Sequence, residues 1–206
     1  MVKAAGKDGA MFQVRIHGRG GQGVVTAADL LALAAFGEDR HAQAFPSFGS
    51  ERNGAPVVAF CRIDDKAIRL REPVMTPDAL IVQDPTLLHQ VDVFSGLAPG
   101  GWVLINSSRS AEELGLEELA ERLPAGHLRT VPATEIARRL IGRPFPNAAL
   151  LGGFAALTGR VSLESVLAAI RQKFPSKVAD SNVAAATEAY RIVRDDEGGA
   201  PRAQAG

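Results

Sequence analysis

Hydrophobic and polar residues alternate from Phe12 to Ile16, and this period of two predicts a first β-strand. From about Val24 the apolar positions follow helical spacing through an alanine-rich run that ends near Phe36. The segment between these elements holds four glycines, Gly18, Gly20, Gly21 and Gly23, with Arg19 and Gln22 between them. The chain therefore opens with a predicted strand, a glycine loop and a helix.

The same two patterns continue along the rest of the chain. Short apolar runs predict strands at residues 41–45, 57–63, 79–82, 102–105 and 128–131. Helical spacing predicts helices at residues 86–94, 111–123, 134–141, 147–159, 163–174 and 177–193. Residues 66–70 alternate after the Asp64-Asp65 turn and predict a strand that returns along residues 57–63. We expect an α/β protein, with a Rossmann-like open sheet, helices on both faces and an inserted β-hairpin.

The spacing of Gly18, Gly20 and Gly23 satisfies G-x-G-x-x-G in the strand-to-helix context that this motif requires. Glycines let the chain turn sharply, and the first N–H groups of a helix are unpaired and carry partial positive charge. The loop is therefore a candidate seat for phosphate or another anion. The alternative is a tight strand-to-helix turn that binds nothing.

A dinucleotide site would also need an acidic residue at the end of the second strand to hold the ribose. The predicted second strand, His41–Phe45, continues into Pro46 and Ser47 and offers no such acid. Glu38 and Asp39 precede this strand, so we expect them at the opposite end of the sheet. A phosphate-bearing ligand other than NAD is therefore the better interpretation.

Polar residues follow several predicted strands at the point where each strand ends. The segment from Pro46 to Pro56 is a long loop rich in proline, glycine and serine, and such loops in compact domains are usually functional. Asp84 follows one later strand, and Asn106 and Ser107 follow another. Ligands in open α/β sheets bind beyond the carboxyl ends of strands, so these residues are candidates for the same site. The alternative is that they cap the next helices, which we favour for Asp84 and leave open for Asn106.

Composition bounds the function further. The 206 residues suit one domain at residues 11–194, with flexible tails at residues 1–10 and 195–206. The formal net charge is zero, which offers no global field for nucleic acid or an anionic membrane. No apolar run could span a bilayer and the N-terminus lacks a secretory signal, so we expect a cytoplasmic protein.

The sequence gives little support for a metal site or a catalytic nucleophile. Cys61 is the single cysteine, which excludes a [4Fe–4S] cluster held by four cysteines of this chain. It lies in an apolar strand pattern and is interpreted as a buried small hydrophobe. The four histidines are scattered without ligand spacing, so no metal site is expected. No catalytic triad or acid pair is evident, which favours a subunit that binds over one that carries out chemistry alone.

Three stretches of the chain resemble the gamma subunits of 2-oxoacid:ferredoxin oxidoreductases, in particular the pyruvate and branched-chain 2-oxoacid group. They are GRGGQGVVTAADLLA, QAFPSFGSERNGAPVVAFCRI and DALIVQDPTLL. The resemblance runs from about Val14 to Val193, and FPSFGSERNGAP is its most specific part. Related subunits often carry a second arginine or a glycine where Asn53 stands.

The resemblance implies a subunit without catalytic residues in a complex that decarboxylates a 2-oxoacid, reduces ferredoxin and forms an acyl-coenzyme A. It implies partner subunits of the alpha, beta and delta types, which hold thiamine diphosphate, Mg²⁺ and [4Fe–4S] clusters. Coenzyme A would dock on the glycine loop. The residues expected to contact it are Gly18, Arg19, Gly20, Gly21, Gln22, Gly23, Ser47, Ser50, Arg52, Asn53, Asn106 and Ser107. The alternatives are an NAD(P)-dependent Rossmann dehydrogenase and a purely structural subunit.

Overall fold

A computed structural model describes residues 10–47 and 53–196. Its strands are β1 (Phe12–Arg19), β2 (His41–Pro46), β3 (Pro56–Asp64), β4 (Ala79–Val82), β5 (Trp102–Asn106) and β6 (Leu128–Val131). Its α-helices are α1 (Val24–Phe36), α2 (Glu117–Arg122), α3 (Ala133–Leu140), α4 (Asn147–Thr158), α5 (Leu163–Lys173) and α6 (Ser176–Asp196). A 3₁₀ helix at Pro85–His89 follows β4.

The six strands form one sheet in the order β2-β3-β1-β4-β5-β6. Strands β1, β4, β5 and β6 pair in parallel, whereas β3 is antiparallel to both of its neighbours, β1 and β2. Because β3 is antiparallel to both of these strands, β2 runs parallel to β1 although the two are not neighbours in the sheet. The expected α/β architecture with an open sheet is confirmed, and one antiparallel strand is inserted into it.

The predicted hairpin between residues 57–63 and 66–70 is wrong. Strand β3 pairs along one edge with β1 and along the other with β2, so neither edge is left for a returning strand. Residues 66–70 have no regular structure and Leu70 is exposed. The alternating apolar and polar residues there belong to a surface segment and not to a strand.

Two predicted helices are shorter than their apolar spacing indicates. The helix expected at residues 111–123 is limited to α2, because Gly115 adopts a left-handed conformation with φ of 71° and ends the preceding turn. The helix expected at residues 86–94 is only the 3₁₀ helix, which ends before Gln90. The remaining predicted strands and helices are confirmed to within a few residues.

Each face of the sheet is covered by a hydrophobic layer. On one face α1, α4, α5 and α6 pack over residues such as Val14, Ile16 and Leu104. On the other face the 3₁₀ helix and α2 cover Leu80 and Val103. Helices on both faces are therefore confirmed, with the thicker layer on the α1 side. Within the described ranges no helix combines the length and apolar character that crossing a membrane requires.

Helix α4 is the centre of the thicker layer, and all twelve of its residues are buried. It packs closely on α6, and the approach is tightest at Gly152. A Cβ added to Gly152 would lie 2.0 Å from the carbonyl oxygen of Ala186. The interior glycine that weakens an isolated helix is therefore what lets the two backbones meet.

Candidate functional site

Five of the six strands point their carboxyl ends at the same edge of the sheet, and β3 begins there. The glycine loop, residues 18–23, follows β1 at this edge. Polar residues after β4 and β5 lie at this same edge, as the sequence predicts. Asn106 Nδ2, for example, donates to the carbonyl oxygen of Gln83 at 2.7 Å. The strand ends thus assemble one polar edge around the start of α1.

The glycine loop presents backbone N–H groups at the N-terminus of α1. Gly21 and Gly23 have φ of 89° and 73°, in the left-handed region that favours glycine. Gly23 is the N-cap of α1 and brings no side chain to satisfy the helix. No described residue accepts a hydrogen bond from the N–H groups of Gly21, Gly23 or Val24. These donors, together with the helix dipole, suit an anion.

The segment before β3 closes over the loop. Gly20 N donates to the carbonyl oxygen of Ala55 at 2.9 Å, and Gly54 N donates to the carbonyl oxygen of Gly20 at 3.1 Å. Asn53 lies against Gly21, where an added Cβ would be 2.7 Å from its Oδ1. The structure therefore brings Asn53 to the loop, and Gly20 uses its polar backbone groups within the protein. Ser50 and Arg52 lie outside the described residues.

Arg19 is held by the protein itself. Its guanidinium donates to Asp84 Oδ2 at 3.0 Å, the Gly54 carbonyl at 3.1 Å, Thr86 Oγ1 at 2.7 Å and Gln90 Oε1 at 2.8 Å. Four of its five N–H groups are thereby engaged. Arg19 lines the cleft, but its main role in the described residues is to tie the loop to the segment after β4.

Gln22 completes the same network. Its Oε1 accepts from Arg19 N at 2.8 Å, and its Nε2 donates to Asp84 Oδ2 at 2.9 Å. Asp84 also accepts from Thr86 N at 3.0 Å as the N-cap of the 3₁₀ helix, which confirms the capping interpretation. Burial raises the pKa of Asp84, but hydrogen bonds from Thr86 and Gln22 and the charge of Arg19 outweigh it, so the pKa is lowered.

Asn106 and Ser107 do not reach the loop. Asn106 is buried, donates from Nδ2 to the Gln83 carbonyl and to Thr134 Oγ1, and accepts from Thr134 N at Oδ1. It therefore binds the start of α3 rather than capping the next helix, α2, and its role as a ligand contact stays a prediction. Ser107 Oγ accepts from Arg109 N at 3.0 Å and forms a local turn. Both residues lie at the predicted edge of the sheet, and neither is part of the cleft lining described below.

A cleft of about 680 Å³ opens beside the glycine loop, between the start of α1 and the end of β2. Among the described residues no carboxylate lines it, and the lining consists of Arg19, Gly20, Gly21, Gly23, Val24, Val25, Thr26, Pro46, Ser47 and Val57. Ser47 is exposed there, and its N–H donates to the Val58 carbonyl at 2.8 Å. We call this space the glycine-loop cleft. It matches the size of small-molecule sites and offers amides to an anion.

A second cleft of about 650 Å³ lies on the other side of the same loop and was missed by sequence reasoning. It shares Gly21, Gly23 and Thr26 with the first. Its other walls come from the starts of α4 and α6 and from the segment before α4, which lie far apart in the chain. The sequence signal for this cleft was the position of two cationic residues, Arg143 shortly before α4 and Lys177 in the first turn of α6. No motif describes such a pair. We call this space the basic cleft.

Other chemistry-bearing residues lie away from both clefts. His17 is buried and accepts from Arg15 Nε at 2.9 Å, and burial followed by the charge of Arg15 lowers the pKa of His17 to about 4. Cys61 is fully buried, as predicted, and burial raises the pKa of its thiol. The described residues contain no group of three or more His, Cys, Asp or Glu side chains that could hold a metal ion.

The chain is similar to known proteins over most of its length. The model of the pyruvate ferredoxin/flavodoxin oxidoreductase family matches residues 13–192. The pyruvate/ketoisovalerate oxidoreductases common subunit gamma of Thermococcus kodakarensis is 51% identical over 180 residues, which are 87% of this chain and 96% of that protein.

Solved structures share the fold. The pyruvate oxidoreductase subunit PORC of Thermotoga maritima has a TM-score of 0.72 and 35% identity, over 88% of this chain and 96% of that one. The 2-oxoglutarate:ferredoxin oxidoreductase of Magnetococcus marinus has a TM-score of 0.68 over 90% of this chain and 31% of that one, and at 16% identity it shares the fold alone. The matched family model and the relative that is half identical over nearly its whole length show that this chain belongs to the pyruvate ferredoxin/flavodoxin oxidoreductase family, as a gamma-type subunit.

Proposed function

We propose that this chain is the gamma subunit of a multisubunit oxidoreductase that converts pyruvate, or a related 2-oxoacid, to an acyl-coenzyme A and reduces ferredoxin. We further propose that its glycine-loop cleft binds phosphate groups of coenzyme A. Relatives named for pyruvate and ketoisovalerate oxidoreduction support the first part. The observation that carries the second part is a set of N–H groups at the start of α1 that pair with no described residue, in a cleft to which the described residues contribute no carboxylate.

The residues of this chain would bind and orient the ligand without reacting with it. The N–H groups of Gly21, Gly23 and Val24 would donate to phosphate oxygens at the positive end of α1. Arg19 would hold the loop in shape through Asp84, so its contribution is positional. Ser47 lines the cleft and Asn53 lies against Gly21, both in the β2–β3 connection, and Ser50 and Arg52 belong to the same connection in the sequence. When bound, coenzyme A supplies the thiol that accepts the acyl group.

The redox cofactors belong on partner subunits in this proposal. One cysteine, Cys61, cannot provide the four thiolates of a [4Fe–4S] cluster, and its side chain is buried in β3. Thiamine diphosphate, Mg²⁺ and the clusters are therefore assigned to subunits of the alpha, beta and delta types. The assignment to these partners, to ferredoxin and to the cytoplasm stays a prediction.

An NAD(P)-dependent dehydrogenase is the weaker candidate. Strand β2 ends in Pro46 and Ser47, with no acid to hold a ribose. Strand β3 also stands between β1 and β2, so the end of β2 lies two strand spacings, about 10 Å, from the glycine loop. A purely structural subunit is the other alternative, and it would need no ligand in the cleft.

The test places a negative charge in the cleft and compares it with an uncharged side chain of the same size. Ser47→Asp adds a carboxylate at an exposed lining position, and Ser47→Asn is its uncharged match. In the complex reconstituted with its partner subunits, we expect Ser47→Asp to raise the KM for coenzyme A about tenfold, equivalent to about 1.4 kcal/mol. Ser47→Asn should stay within about twofold of the wild type.

Each alternative gives a different result. If Ser47→Asp leaves the KM for coenzyme A unchanged in a fully assembled complex, the cleft is not the phosphate seat. Loss of subunits from the complex in both variants would favour a structural role. Titration of the isolated chain with coenzyme A and with NADH tests the dehydrogenase alternative, because only a dehydrogenase should bind NADH.

A further inference from the structure

The basic cleft gathers positive electrostatic potential from several sources. Its walls include the first turns of α4 and α6 and the third residue of α1, Thr26. None of these three helices carries an acidic residue in its first turn, and neither α1 nor α4 has a side-chain cap. Helix starts of this kind favour anions. Because three of them converge here, the effect of each is reinforced.

Two cationic side chains add to this potential. Arg143, from the segment before α4, and Lys177, in the first turn of α6, both line the cleft and are exposed. Neither forms an ion pair with any described residue. No Asp or Glu of the described ranges lines the cleft. The charge of the cleft is therefore uncompensated within the described chain and matches a phosphate.

One buried amide in the lining has unmet hydrogen-bonding capacity. Asn147 is 9% exposed, its Nδ2 donates to the Gly23 carbonyl at 3.1 Å, and its buried Oδ1 has no partner among the described residues. A buried acceptor without a partner is costly, so this oxygen calls for an N–H or O–H donor. Asn182 also lines the cleft, and its Nδ2 donates to the Val178 carbonyl at 2.8 Å.

Much of the remaining lining is apolar and includes aromatic rings. Phe145 is 40% exposed and Val178 is 44% exposed, so both present apolar surface to a ligand. The remaining apolar residues of the lining are Leu30, Ile141, Ala148 and Phe174. Such walls favour a flat or apolar ligand body in a space whose volume fits small molecules.

From these features together we propose that the basic cleft binds a nucleoside phosphate. The phosphate meets Arg143, Lys177 and the helix starts, and the base lies against Phe145 and its apolar neighbours. Donors of the base or sugar meet Asn147 Oδ1 and the Asn182 side chain. This chemistry occurs both in a free nucleotide and in the nucleotide end of coenzyme A. The site does not depend on the function proposed for the glycine-loop cleft.

AMP is the probe, titrated by calorimetry into the full chain. We expect the double variant Arg143→Glu/Lys177→Glu to weaken AMP binding at least tenfold, and Asn182→Leu to weaken it severalfold. Adenosine, which lacks the phosphate, should bind the wild type at least tenfold more weakly than AMP. Arg191→Glu is the control for one such charge reversal, because it reverses the charge at an exposed position of α6 outside the cleft.

Several outcomes would overturn the proposal. They are an AMP affinity that the double variant leaves unchanged, an equal loss in Arg191→Glu, and equal binding of adenosine and AMP. Circular dichroism of each variant shows whether it is folded, and Arg143 and Lys177 are exposed, so their replacement should not disturb the core. Ser47→Asp should leave AMP binding unchanged, which separates this proposal from the one for the glycine-loop cleft.

Coenzyme A identifies the source of the nucleotide. If coenzyme A displaces AMP from the wild type and Ser47→Asp weakens that displacement, the nucleotide end of coenzyme A reaches across the glycine loop into the basic cleft. If coenzyme A binds without displacing AMP, the cleft serves a free nucleotide.

Discussion

Arg19 Nε lies 3.0 Å from Asp84 Oδ2, and this ion pair joins the carboxyl ends of β1 and β4, which are neighbours in the sheet. The side chains are only 20% and 13% exposed, so solvent screens the pair less than it screens a surface ion pair. Because Gln22 donates to the same carboxylate oxygen, the pair also fixes the glycine loop. The loop is shaped by side chains before any ligand arrives.

Asp84→Asn should therefore destabilise the protein. The amide keeps one oxygen that can cap the 3₁₀ helix, but its NH₂ group would face the donors of Arg19 and Gln22. Loss of hydrogen bonds to a charged group costs about 2 kcal/mol, which urea unfolding would measure. Because the folded pKa of Asp84 is lowered, its contribution is present above the ordinary value of 3.8 and is lost as the pH falls below it.

Asp65→Asn is the control for this prediction. Asp65 pairs with Arg40 at 3.1 Å, but its side chain is 65% exposed, so its removal should cost about 0–1 kcal/mol. An equal effect of the two substitutions would contradict the structural importance of the Arg19–Asp84 pair.

His17 should make stability depend on pH in a defined window. A histidine in the unfolded chain takes up a proton near its ordinary pKa of 6.5, whereas folded His17 resists protonation until about pH 4. The unfolded state therefore binds more protons between these values, and the free energy of unfolding falls as the pH drops from 6.5 to 4. The shift corresponds to roughly 3 kcal/mol. In His17→Gln this part of the pH dependence should vanish, and an unchanged profile would contradict it.

Gly152 and Gly153 should respond differently to alanine although they are adjacent in α4. A Cβ at Gly152 would lie 2.0 Å from a backbone oxygen of α6, which cannot move without shifting that helix. A Cβ at Gly153 would lie 3.3 Å from Leu104 Cδ2, the end of a side chain. We expect Gly152→Ala to cost about 3 kcal/mol and Gly153→Ala to be near neutral, because alanine favours the helix by about 1 kcal/mol. Thermal unfolding of both variants would measure the contrast.

The isolated chain should neither oxidise 2-oxoacids nor absorb as an iron–sulfur protein. Cys61 is its single cysteine, is fully buried, and has a thiol whose pKa is raised by burial. The same burial predicts that a thiol reagent such as DTNB reacts with Cys61 only after denaturation. Oxidation of pyruvate by the purified chain, or rapid modification of the native thiol, would contradict this picture.

Local patterns predict most of the fold. The apolar run of β4 and the N-cap at Ser162, whose Oγ accepts from Ser165 N, lie where the sequence indicates. The position of β3 in the sheet could not be predicted from local patterns, because strand pairing depends on which edges of the neighbouring strands are free. Residues 66–70 alternate like a strand, yet both edges of β3 are taken by β1 and β2.

The candidate site could be predicted only in part, because it too depends on pairings between residues that are distant in the sequence. The glycine spacing indicates the loop, and parallel strands bring Asp84 and Asn106 to its edge. Which donors remain free depends on pairings across the fold, such as Arg19 with Asp84 and Asn106 with Thr134. The basic cleft joins Thr26 to residues more than a hundred positions away, so no sequence window contains it.

The burial of α4 has a consequence for the order in which the protein can fold during its synthesis. Helix α4 leaves the ribosome before α6, yet α6 provides the surface on which Gly152 packs. Until α6 emerges, an apolar helix with no polar face remains open to the chaperones and proteases of the cell. Ribosome-bound chains that stop short of α6 should therefore be protease-sensitive, and protection of α4 should appear only when residues 176–196 are outside the exit tunnel.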